Sequence, residues 1–306
     1  LDALGIEHRP IAQTGILARI EGRRGNLKRC VVLRADIDAL PINELNDIDF
    51  CSERNGVMHA CGHDAHTAIL LGAARVLKRL EKKLPCRVKL LFTPAEEYIT
   101  PGCKELAENG VMDDVDFAVG IHVDTDFHVG DIVSVIGPSH SNSMGFKVRF
   151  YGLSAHAASQ QKGKDAILMA VEAITAMEFM AAKELKVNDA RLLNIGSIHG
   201  GKTNNVVCDY VEIFGSSRAQ EDAITEHMTR RLKEITESVA AAMGGRGEFE
   251  VTKLLPYVIH HPSVGGQLRK TGHRLLGDDY LLVKPRKMGG EDFGFLSRKK
   301  PSVFFR

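Results

Sequence analysis

The sequence predicts an α/β protein of two domains, a helix-flanked mixed sheet and an inserted ferredoxin-like domain. Three observations lead there. At 306 residues the chain exceeds the length at which a single core usually divides. The run Cys30-Val31-Val32-Leu33 is apolar throughout, as expected of a strand covered on both faces of a sheet. Near Gly137 the pattern changes, and strands and helices follow in the order βαββαβ. The domains are therefore placed at 1–137 with 256–306, and at 138–255.

In chain order, Thr14 to Glu21 and Cys30 to Ala35 read as strands joined by a Gly- and Arg-rich turn, Gly22 to Gly25. From Asp64 onward Ile69, Ala73, Val76, Leu80 and Leu84 recur at helical spacing and mark the apolar face of a long helix. Val88 to Phe92 and Phe117 to Ile121 are further apolar strands. In the insert, Phe146, Val148 and Phe150 alternate with Lys147 and Arg149, a half-buried strand. Ile167, Val171, Ile174 and Met177 mark a helix, and Leu193 to Ile198 and Val206 to Phe214 mark strands. Ile224, Met228, Leu232, Ile235, Val239 and Met243 mark a second helix, stopped by Gly244-Gly245. Phe249 and Val251 begin the insert's last strand. Leu255 to Arg306 returns to the first domain, with a glycine turn at Lys287 to Phe293, compatible with a helix start near Glu291, and a strand at Ser302 to Phe305.

The chemistry concentrates in Met58-His59-Ala60-Cys61-Gly62-His63-Asp64-Ala65-His66-Thr67. Three imidazoles, a thiol and a carboxylate in one turn offer the sulfur and nitrogen donors that suit zinc and its neighbours, with manganese also compatible. A helix N-terminus after the turn favours a thiolate at Cys61. Polar residues at the carboxyl ends of buried strands are where such sheets place their sites. Asp36 and Asp38 sit at one such end, and read equally as partners that orient a ligating histidine and as turn formers before Pro41. Glu96-Glu97 follow another, where paired carboxylates can divide labour between binding a metal and taking a proton from water. His122 follows a third and reads as a ligand. In the insert, His156, Asn205 and Arg218 read on their own as turn and surface residues.

Composition excludes other classes. The chain is 44% hydrophobic and 26% charged with a formal net charge of +1, so nothing favours a nucleic acid or an anionic membrane surface. No apolar run reaches membrane-spanning length. Six cysteines without paired spacing argue against a disulfide framework and fit a reducing cytoplasm. The first residue is Leu1, and a strand-like run stops at the last one, so both ends read as cut.

Five motifs, in order and spacing, resemble the amidohydrolase branch of the aminoacylase and carboxypeptidase metallopeptidase clan, which includes N-acyl-amino-acid amidohydrolases, hippurate hydrolase and indole-acetyl-amino-acid hydrolase. They are Leu33-Arg34-Ala35-Asp36-Ile37-Asp38-Ala39-Leu40-Pro41, Met58-His59-Ala60-Cys61-Gly62-His63-Asp64, Pro94-Ala95-Glu96-Glu97, Gly120-Ile121-His122 and Met288-Gly289-Gly290-Glu291-Asp292-Phe293. The resemblance implies a zinc-peptidase-like catalytic domain and a lid domain through which such enzymes form homodimers or higher homo-oligomers. By motif, Cys61, His63, Glu97 and His122 are the implied metal ligands, Glu96 the general base, and Asp38 the support behind the site. His156 is the implied stabiliser of the tetrahedral intermediate, in related enzymes often of the neighbouring subunit, and Asn205, Arg218 and Gly290 the implied substrate contacts.

The implied cofactor is a pair of divalent ions, zinc or manganese with cobalt or nickel as alternatives, set roughly 3.5–4 Å apart. The implied reaction releases a carboxylic acid and a free amino acid from an N-acyl amino acid. Three departures from the family pattern stand out. Its last histidine ligand has no match, and the corresponding position is expected beyond Arg306; Thr93 replaces a common glutamine; and Ala158-Ser159-Gln160 lacks the usual proline. The rival readings are a dipeptidase or aminopeptidase of the same clan, with Glu291 or Asp292 holding a substrate ammonium, a non-catalytic metal-binding relative, and a cysteine hydrolase using Cys61 and His63.

Overall fold

The computed structural model describes residues 1–24, 28–134, 137–277 and 287–306, and the backbone alone for 281–283. Gly25 of the expected turn lies outside the described residues. The chain divides into two compact units, the first comprising Leu1–Ser139, Val258–Lys287 and Glu291–Arg306, the second His140–Tyr257 and Met288–Gly290. Among the described residues no helix is long and apolar enough to cross a membrane.

The first unit contains strands β1 (Glu7–Ile11), β2 (Gly15–Ile20), β3 (Cys30–Asp36), β4 (Arg87–Thr93), β5 (Phe117–Ile121) and β12 (Ser302–Phe305), in the sheet order β1-β2-β4-β3-β5-β12. β4, β3, β5 and β12 run parallel, while β2 pairs antiparallel with β4 and β1 antiparallel with β2. The sheet is mixed and covered on both faces. One face packs Ala18, Ile20, Ala35, Val88, Leu90 and Phe92 against helix α1 (His63–Arg79). The other packs Leu17, Cys30, Val32, Leu91, Ala118 and Phe304 against α2 (Gly102–Glu108) and α6 (Phe293–Ser297). Coverage on both sides explains why these strands carry apolar runs instead of alternation. Lys89, in the middle of β4, is buried and neutralised by Asp114, and it donates to the Val111 carbonyl at 2.8 Å. Helix α5 (Pro262–Leu276) and the short parallel pair β6 (Ile132–Ser134) and β11 (Leu281–Val283) complete the unit.

In the second unit, β7 (Asn142–Tyr151), α3 (Ala166–Lys183), β8 (Arg191–Gly200), β9 (Tyr210–Ala219), α4 (Asp222–Ala242) and β10 (Arg246–Leu255) form the βαββαβ arrangement. Its antiparallel sheet has the order β10-β7-β9-β8. Burial along β7 alternates over its whole length, with Met144, Phe146, Val148 and Phe150 in the core beneath both helices.

Two helix faces differ from the sequence reading. On α1 the core side is His66, Leu70 and Ala74, while Ile69, Val76 and Leu80 are exposed. On α3 the core side is Ala166, Met169, Ala170, Ala173, Met177 and Met180, and Ile167 and Val171 are exposed. Both helices carry apolar residues around much of their circumference, so periodicity alone leaves the face ambiguous. The strand expected from Val206 begins at Tyr210. Val206 instead forms an isolated bridge with His156.

Candidate active site

The site grows from the parallel registry of three neighbouring strands. Asp36 of β3 stands opposite Thr93 of β4, and Arg34 opposite Gly120 of β5, so all three strands end at the same edge. The chain leaving β3 brings Asp38, that leaving β4 brings Glu96 and Glu97, and that leaving β5 brings His122. Cys61 and His63 come to the same edge on the turn that opens α1. Gly62 is the N-cap residue of that helix with φ 80°, and a Cβ there would lie 2.5 Å from a Val123 methyl. Only glycine meets both conditions without strain.

His63 is buried and fixed by Asp38, its Nδ1 lying 3.0 Å from the Asp38 carbonyl and 3.2 Å from Oδ1. Its Nε2 is buried without a hydrogen-bond partner. The donor atoms of Cys61, His63 and His122 lie within 4.8 Å of one another, as do those of His63, Glu96 and Glu97. Cys61 Sγ is 3.4 Å from His122 Nε2. The other Asp38 oxygen accepts from the Glu97 backbone N–H at 3.0 Å, so one carboxylate orients both a histidine and the Glu97 segment. This donor set could hold a divalent cation, and the buried nitrogen with no other use is the observation that fits one.

The acids around His63 favour positive charge at this position. Burial opposes protonation of His63, but its bond to Asp38, the adjacent Cys61 and the charges of Asp36 and Asp38 prevail, lifting its pKa to about 11. Burial pulls His122 down to about 4. For Cys61, the bond to His63 lowers the pKa, yet burial and the Glu97 carboxylate outweigh it and leave the thiol above its ordinary value. The expected helix-terminus thiolate is therefore not favoured by the protein alone, because Cys61 lies outside the first turn and beside a carboxylate.

The sequence reading missed Arg34. Fully buried, it bonds Thr93 Oγ1 at 2.8 Å, Asp36 at 2.8 Å, Glu291 at 3.1 Å and Asp292 at 2.5 Å. An arginine inside an apolar strand was the available signal, since a buried charge requires partners. Burial opposes ionisation of Asp36, but Arg34 and His66 hold its carboxyl well below the usual range. Glu291 goes the other way: burial dominates and Arg34 only partly offsets it, while Glu96, Asp36 and Asp292 push it further up. Glu96 joins this group, for its carboxylate oxygen faces the Asp292 N–H at 3.3 Å and clusters with Glu291 and Asp292. Glu291 and Asp292 are consumed by these contacts and by the Cys103 N–H, so they do not present an acid to a substrate ammonium. That corrects the role given them in the dipeptidase reading.

The second unit holds the remaining candidates in two pairs. Asn205 and His156 are neighbours through the Ala157 N–H to Asn205 carbonyl bond of 3.0 Å. His156 Nδ1 accepts from the Ala158 N–H, so the neutral ring carries its hydrogen on Nε2. Arg218 donates to the Met288 carbonyl at 2.8 Å, beside the segment that carries Gly290.

The model of peptidase family M20/M25/M40 matches residues 32–306. The chain belongs to this family. Among M20 relatives, it is 34% identical over 302 residues to the N-acetyl-L-cysteine deacetylase of Bacillus subtilis, covering 98% of this chain and 71% of that one. It is also 34% identical over 310 residues to the IAA-amino acid hydrolase ILR1-like 6 of Arabidopsis thaliana, covering 100% of this chain and 65% of that one. A solved structure, the dinuclear metal-binding M20 peptidase of Bacillus subtilis, superposes with a TM-score of 0.81 at 29% identity, covering 100% of this chain and 79% of that one. The helix-flanked mixed sheet is that of an M20 hydrolase.

Proposed function

We propose that this hydrolase cleaves the amide bond of N-acyl amino acids with the help of bound divalent metal. The observation that carries the reading is His63, a buried imidazole fixed through Nδ1 whose Nε2 makes no hydrogen bond and lies among Cys61, His122, Glu96 and Glu97. Cys61, His63, Glu97 and His122 would hold the metal. When bound, a divalent ion supplies Lewis acidity that polarises a carbonyl and lowers the pKa of water. Glu96 takes the proton of the attacking water and returns it to the leaving amine. His156, with hydrogen on Nε2, is the proposed donor to the developing oxyanion. Arg218 pairs with the substrate carboxylate through the guanidinium nitrogens not engaged by Met288, and Asn205 and Gly290 complete recognition.

The named activities of the deacetylase and of the IAA-amino acid hydrolase support an acyl amino acid over a dipeptide, and the dinuclear relative supports two ions. Burial of Glu291 and Asp292 disfavours the aminopeptidase alternative. A thiol held above its ordinary pKa disfavours a Cys61 nucleophile. Homo-oligomerisation through the second unit is part of the proposal, supported by β8, an edge strand with Leu192 and Ile198 exposed.

The deciding experiment is release of free amine from N-acetyl and N-benzoyl amino acids beside dipeptides, with and without a chelator. Chelator-sensitive release from acyl amino acids is the expected result. Release mainly from dipeptides would overturn the substrate class, and chelator-resistant release would overturn the metal.

A further inference from the structure

His66 belongs to the histidine-rich turn, yet the structure gives both its ring nitrogens other partners. Nδ1 bonds Asp36, itself held by Arg34 at 2.8 Å. Nε2 lies 2.8 Å from the backbone nitrogen of Val123. A backbone N–H can only donate, so Nε2 must be the acceptor and the ring must be neutral with its hydrogen on Nδ1. No lone pair remains for a cation.

The ring is fully buried and packs beside two others, which are themselves 6.2 Å apart. Its centroid is 5.4 Å from that of His63 in a stacked arrangement and 4.6 Å from that of His122, edge-on at 66°. The Val123 N–H it accepts belongs to the residue directly after His122. The same Val123 packs against the Gly62 backbone. His66 therefore touches His122 both through the ring and through the following peptide, while rising from the helix that begins with His63.

We propose that His66 is a positioning residue that fixes His122 relative to His63 and binds no metal itself, with Arg34 and Asp36 as its anchor. This rests on the reading that His122 and His63 hold a divalent ion. Partners of this kind behind a ligand are worth roughly 10–100-fold in metal affinity.

Two substitutions separate the ring's two bonds. His66→Asn can still donate toward Asp36 but has no acceptor at the Nε2 position. His66→Gln can place its amide oxygen there and accept from Val123. Cobalt affinity is measured by competition with a chelator, alongside hydrogen exchange of the Val123 amide in the metal-free protein, with far-UV circular dichroism as the check on folding. The expected result is loss of Val123 protection and a roughly 10–100-fold weaker cobalt affinity for the Asn variant, with both retained by the Gln variant.

A purely structural role would lower the melting temperature of both variants and leave cobalt affinity alone, and that outcome overturns the inference. So does equal loss of affinity in the two. If His66→Asn does not fold, the Gln variant decides: wild-type affinity supports the inference and a tenfold loss overturns it. A wild-type protein that binds no cobalt refutes the proposed function instead, and the Val123 exchange then decides the clamp by itself.

Discussion

Replacing Arg34 by Met tests whether the buried ion cluster organises the first unit. The guanidinium donates to Thr93, Asp36, Glu291 and Asp292, all four acceptors buried. Met fills similar volume but removes the guanidinium from both Asp36 and Asp292, leaving Asp36 to His66 and His63 and Asp292 without an ion-pair partner among the described contacts. Breaking a buried pair in this way costs about 3–5 kcal/mol, because an uncompensated charge remains out of water. Hydrogen exchange of the β3 and β4 amides reports the first unit on its own, and the most protected of them should lose that amount.

The pH dependence has a defined sign. In the wild type the Asp36 pKa is depressed, so its contribution is present above the unfolded value near 3.9 and is lost as pH falls through the folded value. Without Arg34 only His66 and His63 oppose the effect of burial on this group, so less of that stabilisation is present as pH rises above about 4. The deficit of the variant should therefore widen from pH 4 to pH 7. Arg34→Lys should recover only part of it, since an ammonium cannot reproduce the planar fork. A variant within about 1 kcal/mol of the wild type at pH 7 would refute the reasoning, given the magnitude expected for an unpaired buried charge.

Glu96→Gln should lower kcat by roughly 10²–10⁴ while chelator competition shows metal still bound; near-normal turnover would remove Glu96 as the base. Glu291 has a raised pKa, so keeping it neutral when folded costs stability as pH rises above the unfolded value near 4.3. Glu291→Gln should accordingly be more stable than the wild type at pH 8, with the difference closing toward pH 4 in thermal melts. Gly62→Ala imposes a left-handed conformation worth about 1–2 kcal/mol on a residue with a Cβ and drives that carbon into Val123. Both stability and cobalt affinity should fall, and a variant with unchanged affinity would show that the turn tolerates the shift.

Strands β3, β4 and β5 were legible because full coverage writes itself as largely apolar runs at Cys30, Val88 and Phe117, Lys89 apart, whereas β1 carries no such run and was not read. The site was legible for a related reason: parallel strands end together, so polar residues after each run meet in space. Helix faces were not. In α1, Ile69, Leu70 and Leu71 follow one another, and only the position of the sheet selects Leu70. Nor could spacing show that Arg34 meets Glu291 and Asp292, 257 and 258 residues away, or that His66 is taken up by Asp36 and Val123. Those contacts decide which members of a histidine- and acid-rich set are left to bind anything.

The arrangement has a consequence for charge. Around the carboxyl edge of β3, β4 and β5 stand the carboxyl groups of Asp36, Asp38, Glu96, Glu97, Glu291 and Asp292. Arg34 neutralises Asp36 and Asp292, burial pushes the Glu291 pKa up and so favours its neutral form, and Asp38 is satisfied by His63 and the Glu97 N–H. None of these devices serves Glu97, whose carboxylate instead disfavours the thiolate of Cys61 next to it. The Glu97 carboxylate and a Cys61 thiolate disfavour one another, and each side chain lies near the buried His63, so a cation held there would offset that repulsion. The acids behind that set are already matched, and Glu96 beside it is held by the same turn that Arg34 anchors.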